Sequence, residues 1–126
     1  MKKFAALLLI FVFILSFAAC SRSEEVEQGA YFYTPSDGSF GTGATVLLYG
    51  KGYATIYFSL FSDYIGFGTY DVSGDTLVVN TDDGNFHYAF KIVEDGLKFD
   101  AAHSSNMTWG STFTDGDIFV FDPDAY

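Results

Sequence analysis

Cysteine is nearly absent: Cys20 is the only one in 126 residues. No disulfide can therefore close within the chain. Histidine is also sparse, and His87 and His103 are not at metal-ligand spacing. With no Cys cluster beside them, a zinc site is not expected. Basic residues are few, 6 Lys+Arg against 16 Asp+Glu, for a formal charge of −10. That balance argues against nucleic acid, whose phosphates call for clustered Lys and Arg. After residue 20 no window sustains a 3.6-residue apolar period, so no long helix is expected. No Gly-rich phosphate loop follows a strand and opens a helix. The length allows one domain and excludes a multidomain enzyme. What is present in excess is aromatic: fifteen Phe and nine Tyr, with 49% of all residues hydrophobic. Disordered segments are poor in such residues, so most of the chain should fold.

The N-terminus reads as an address label. Lys2 and Lys3 precede an apolar run from Phe4 to Phe17, broken only by Ser16, and Ala18 and Ala19 are small. A run of 14 residues is shorter than the ~20 a membrane-spanning helix needs. The pattern predicts a signal peptide over 1–19, the alternative being a retained membrane anchor. Phe17-Ala18-Ala19-Cys20 resembles the lipobox of bacterial lipoproteins, although Phe17 stands where that family usually has Leu. The resemblance implies cleavage before Cys20 and a diacylglyceryl group on its thiol. It places the protein outside the cytoplasm, anchored by lipid to the cell membrane. Two acyl chains hold a protein on a membrane stably, where one does so only marginally. Residues 20–29 would then be the lipidated Cys and a polar tether, and 30–126 a single β domain. After cleavage four basic residues (Arg22, Lys51, Lys91, Lys98) face all 16 acidic ones, a formal charge of −12.

From Gly29 onward the pattern is β. Short runs rich in Val, Ile, Tyr, Phe and Thr predict strands near 30–34, 45–50, 53–61, 65–72, 75–81, 85–93, 96–101 and 117–121. Gly50-Lys51-Gly52, Ser73-Gly74, Asp82-Asp83-Gly84-Asn85 and Asp95-Gly96 supply turn residues that tolerate positive φ. Connections this short make neighbouring strands antiparallel. In 85–93 alternation puts Phe86, Tyr88, Phe90 and Ile92 on the core face, with His87, Ala89 and Lys91 opposite. Leu77 and Val79 face the core in their own strand. Strand 53–61 is apolar on both faces towards its end, Ile56, Phe58 and Leu60 against Tyr57 and Phe61. The run Val72 to Val79 echoes Ile92 to Phe99 at a displacement of 20 residues, each with an Asp turn before an inward Leu. Such strands must close or stack to hide their edges. The expected fold is all-β, a small antiparallel meander closing into a lipocalin-like barrel, with a two-sheet sandwich as second choice. Residues 102–116 lack alternation and read as a long loop over one end of the barrel.

The stretch 58–105 resembles a small extracytoplasmic β module found in clostridia-like bacteria. That module occurs as stand-alone surface lipoproteins and at the C-terminus of BlaR-type membrane metallopeptidases. Gly68-Thr69-Tyr70, Gly74-Asp75-Thr76-Leu77, Asp82-Asp83-Gly84, Phe90-Lys91-Ile92, Ser104-Ser105 and the closing Asp115-Gly116-Asp117-Ile118-Phe119 carry the likeness. The peptidases' HExxH motif is missing, so the resemblance implies an envelope module and no peptidase activity.

Few residues point to chemistry. Ser105, His103 and Asp100 could be assembled into a triad, but triads converge from distant segments and these are neighbours. Asp82, Asp83, Asp115 and Asp117 offer hard oxygens for adventitious Ca²⁺, yet neither loop has a calcium-loop spacing. Turn chemistry explains them without a metal, and no cofactor is expected. Asn106-Met107-Thr108 fits a glycosylation sequon, read here as chance. The aromatic excess is the remaining signal. Tyr49 and Tyr57, among the tyrosines of the N-terminal half, and Trp109, the only Trp, are candidates for ligand or partner contact, the alternative being core filling. The expected role is non-catalytic binding or sensing in the envelope, the partner being a cationic protein or peptide or an envelope component. A second reading is an inhibitor of a basic extracellular enzyme such as lysozyme; a third is a hydrolase using His103 or His87.

Overall fold

The computed structural model describes residues 25–35, 43–60, 63–106 and 113–125. Its strands are β1 (Gly29–Tyr33), β2 (Thr45–Leu48), β3 (Tyr53–Tyr57), β4 (Ile65–Ser73), β5 (Thr76–Thr81), β6 (His87–Val93), β7 (Gly96–Asp100) and β8 (Ile118–Asp122). Each pairs antiparallel with the next, and β8 returns to pair with β1, from Ala30↔Asp122 to Tyr33↔Phe119. The result is a closed up-and-down barrel, the first of the two architectures expected, and closure leaves no sheet edge. Single-turn 3₁₀ segments at Gly50–Gly52 and Ala101–His103 are the only helical pieces among the described residues. No helix among them is long and apolar enough to cross a membrane.

Because the strands alternate in direction, the connections sort onto two ends. The tight turns at 49–52, 74–75 and 94–95 share one end with the start of β1 and the finish of β8. The longer connections β1–β2, β3–β4, β5–β6 and β7–β8 all leave from the other. These are the turn end and the loop end. The 20-residue echo is visible in the hairpins: β4–β5 pairs Val72↔Leu77 and β6–β7 pairs Ile92↔Leu97, both Leu fully buried. In each, the turn Asp carbonyl accepts from the following strand, Asp75 from Ile92 N–H (2.7 Å) and Asp95 from Phe121 N–H (3.1 Å).

Side chains fill the barrel. Val46, Ile56, Phe58, Leu77, Val79, Tyr88, Phe90, Leu97, Phe99 and Phe119 are all buried in one cluster. Full burial of such a residue contributes roughly 1.5–3 kcal/mol. Edge-to-face pairs such as Phe90–Phe119 (5.7 Å, 88°) add about 0.5–1.5 kcal/mol each. The predicted faces of β5 and β6 hold: Leu77, Val79, Tyr88 and Phe90 are buried in the core, with Phe86 and Ile92 packed against it. Ala89 faces outward yet is buried, because Ser104 lies against it and accepts its N–H (2.7 Å).

Three details depart from the sequence reading. β3 ends at Tyr57, so Phe58 stays inside while Leu60 leaves the Ile56 face and is 77% exposed. Phe61 lies outside the described residues. Gly96 does not adopt positive φ; a Cβ there would collide with the Phe119 carbonyl, so close approach of β8 excludes a side chain. In the 49–52 turn, by contrast, Lys51 itself takes a left-handed conformation (φ 65°). Finally, the loop after β7 does more than cover the barrel. Phe113 enters the core, stacked on Phe58 (6.1 Å) and edge-on to Phe99 (5.0 Å) and Phe119 (4.9 Å). It plugs the loop end.

Candidate binding face on β2–β4

With the interior filled by side chains, the accessible apolar groups lie on the outer surface. Period-2 alternation turns Leu47 and Tyr49 outward on the β2 side of the β2–β3 hairpin and Tyr53, Thr55 and Tyr57 outward on β3. The register sets Thr55 against Phe67 and Tyr57 against Ile65 of β4. Tyr49, Tyr53 and Phe67 are exposed at 46%, 54% and 57%. Scattered exposed apolar residues need no explanation, but a run of aromatics on one face of three adjacent strands forms a patch of the kind that marks interaction sites.

Within this face Tyr49 and Tyr57 are brought together, as two walls of a cavity of about 260 Å³ that Gly29, Leu47 and Leu48 complete. Leu47 is the floor, nearly buried although it points away from the barrel core. The groove is apolar with phenol groups at its edges, suited to a flat ring or an aliphatic side chain that stacks on tyrosine. Sequence reasoning picked Tyr49 and Tyr57 but missed Phe67 and Ile65, whose alternation with Gly66 and Gly68 was visible in β4. Trp109 and Cys20 lie outside the described residues.

The polar candidates are rearranged. Ser105, His103 and Asp100 do not converge. His103 Nδ1 pairs with Asp100 Oδ2 at 2.7 Å. Ser105 turns to His87 across the sheet: its N–H donates to the His87 carbonyl (2.7 Å) and its Oγ accepts the His87 N–H (2.9 Å). That Oγ is also 3.2 Å from His87 Nδ1. Neighbouring Ser104 donates to the Asp100 carbonyl (2.7 Å) while accepting from Ala89. The two serines thus clamp the start of the β7–β8 loop onto β6. The Ser105–His87 contact has the length of a nucleophile–base pair, but among the described residues no carboxylate orients His87.

The acidic loops are occupied by their own backbones. Asp83 Oδ1 accepts from Thr81 Oγ (2.6 Å) and Asn85 N–H (3.0 Å). These bonds hold its carboxyl below the usual range, the Thr81 bond being the larger cause. Asp115 accepts from Ala101 N–H (3.0 Å) and Asp117 from Thr114 N–H (2.7 Å). Asp82 is exposed. Among the described residues no group of three or more His, Cys, Asp or Glu is placed to hold a metal ion.

Tyr88 stands apart. Its ring is fully buried against Phe58 and Phe86, and its hydroxyl has no hydrogen-bond partner among the described residues. Burial, with Tyr64 and Asp83 nearby, pushes its pKa up to about 12. No protein-family model, curated protein or solved structure matches this chain.

Proposed function

We propose that the protein is a lipid-anchored envelope protein, held outside the cytoplasm through Cys20, whose β domain binds a partner without catalysis. The exposed aromatic face with the Tyr49–Tyr57 groove carries this reading. The lipobox-like Phe17-Ala18-Ala19-Cys20 and the likeness of 58–105 to an extracytoplasmic module support the setting. The start of β1 lies at the turn end, so a chain anchored upstream would present its β2–β4 face sideways and its loop end outwards. The test has two arms. Acyl labelling should mark the wild type and fail on Cys20→Ala. Co-sedimentation with isolated cell envelopes should fall in Tyr49→Ala/Tyr57→Ala but not in Lys91→Ala. Labelling of Cys20→Ala ends the anchor, and unchanged sedimentation of the tyrosine variant ends the face.

The charge of −12 on the processed chain favours a second reading, inhibition of a basic extracellular enzyme. Lysozyme titration should then show binding that persists at ~0.15 M salt, where distant charges are screened, and that weakens in Trp109→Ala.

A further inference from the structure

The β2–β3 hairpin differs from the other two hairpins of the turn end. There β4–β5 presents exposed Asp75, and β6–β7 presents exposed Glu94 and Asp95. The β2–β3 tip, Tyr49-Gly50-Lys51-Gly52-Tyr53, contains no acid. Tyr49 and Tyr53 are exposed on its two sides, with Lys51 exposed between them. Lys51 keeps a left-handed backbone (φ 65°), at a turn position where glycine or asparagine is the ordinary choice. Behind the tip the surface stays uncharged. β1, β2 and β3 contain no Asp, Glu, Lys, Arg or His, and Ile65 and Phe67 of β4 are exposed beside β3. Lys91 and Lys98 lie across the barrel on β6 and β7.

The chain enters the barrel beside this tip. Gln28, just before β1, has its Oε1 3.9 Å from where a Cβ on Gly50 would sit, and Gly29 pairs with Leu48. Gly29 comes nine residues after Cys20, a span of at most about 30 Å. An anchor at Cys20 therefore holds this corner of the barrel within that distance of the bilayer. Tyrosine is favoured at the headgroup level, where its ring meets the acyl chains and its hydroxyl stays wet. A lysine beside it can lay its methylenes on apolar surface and keep its ammonium at the lipid phosphates. The acids of the other two hairpins are repelled by anionic headgroups. We infer that the β2–β3 tip docks on the bilayer surface, with Tyr49 and Tyr53 in the interfacial layer and the Lys51 ammonium at a lipid phosphate. The barrel is then tilted, its β6–β7 side away from the lipid. This inference rests on the membrane-anchored setting proposed above and names the bilayer itself as a partner.

The experiment is tryptophan quenching in phosphatidylcholine–phosphatidylglycerol vesicles with brominated acyl chains. The full chain carries Trp109→Phe, which removes the only native tryptophan, and Cys20→Ala, so that the apolar run Phe4–Phe17 holds every molecule alike. A probe is then placed at Tyr53→Trp or at Val93→Trp, the latter at the same end of the barrel beside the β6–β7 turn. The Tyr53 probe should be blue-shifted and quenched at least about threefold more than the Val93 probe, as for a ring within the interfacial layer. Adding Lys51→Glu should remove most of that difference, whereas Lys98→Glu, an equal charge change across the barrel, should retain it. Equal quenching of the two probes, or equal loss with Lys98→Glu, would mean that the tether alone sets the distance and overturn the proposal. A blue shift without quenching would mean that protein, such as a second copy of the chain, covers the tip, and would overturn it too. Acylation is read apart, by labelling of the wild type, so failure of the Cys20 anchor and failure of the docking give different results.

Discussion

The two ends of the barrel use the same residue types to opposite effect. At the loop end, aromatics seal the core: Phe113 is the plug, stacked on Phe58, which also pairs with Tyr64 and Tyr88, while Phe86 packs on Tyr64. Carboxylates there are spent on structure, with Asp83, Asp115 and Asp117 accepting N–H groups of their own loops. At the turn end, the partly buried Phe121 packs on the buried Tyr31, and Glu25, Glu27, Glu94 and Asp95 are exposed and in no ion pair among the described residues. The difference follows from connection length. A long connection can fold a side chain back into the barrel mouth and satisfy its backbone on an Asp. A two-residue turn cannot fold a side chain back into the barrel, and its acid reaches only nearby surface groups, as Asp75 does with Thr76 and Lys91.

The sharpest way to break this contrast is to remove the plug. Phe113→Ala should cost about 3–5 kcal/mol in urea unfolding, as for a buried Phe. Phe121→Ala at the turn end, where the side chain is only partly buried, should cost clearly less. Equal costs would show that the loop end is no better sealed than the other. Next in size is Tyr88→Phe. It deletes a buried hydroxyl that lacks a partner among the described residues, so stability should rise by about 1 kcal/mol; a loss would mean that the hydroxyl is satisfied after all. The smallest effect is electrostatic. The Asp83 carboxyl is held low in the folded state, so the stability it contributes is present above its unfolded pKa, about 3.9. That contribution disappears as pH falls through the lower folded value. The stability gap between wild type and Asp83→Asn should therefore narrow between pH 7 and pH 2, measured by urea midpoints. A constant gap would assign the loss to turn geometry and not to charge.

Much of the fold could be read in advance because each β-strand declares its own faces. Phe86, Tyr88, Phe90 and Ile92 alternate with polar or small residues, and Gly74-Asp75 marks a turn by chemistry that acts over a few bonds. The parts that escaped depend on contacts remote in sequence. Phe113 sits in a stretch with no periodicity, and only the barrel mouth gives it a place. Leu60 was put on the wrong face because alternation is informative only while the strand lasts, and β3 ends at Tyr57. Of the candidate site, Tyr49 and Tyr57 were found from residue type. Their meeting over Leu47 required the register of β2 on β3. Ser105 was matched with its neighbour His103, whereas the sheet brings it to His87. The β2–β3 tip meets Gln28 at Gly50, a juxtaposition that exists only after β1 pairs with β2.

Closure of the barrel also sets an order of events. Every strand pairing but one joins consecutive strands and can form as soon as a hairpin is made. The exception, β1 with β8, spans nearly the whole folded chain, and its loop-closure entropy must be met late. A polypeptide emerging from a ribosome or an export channel holds β1 long before β8 exists. Until Ile118–Asp122 arrives, the sheet has two bare edges able to recruit foreign strands. Loss of the last ten residues would thus leave a protein with most of its hairpins and no way to stop pairing.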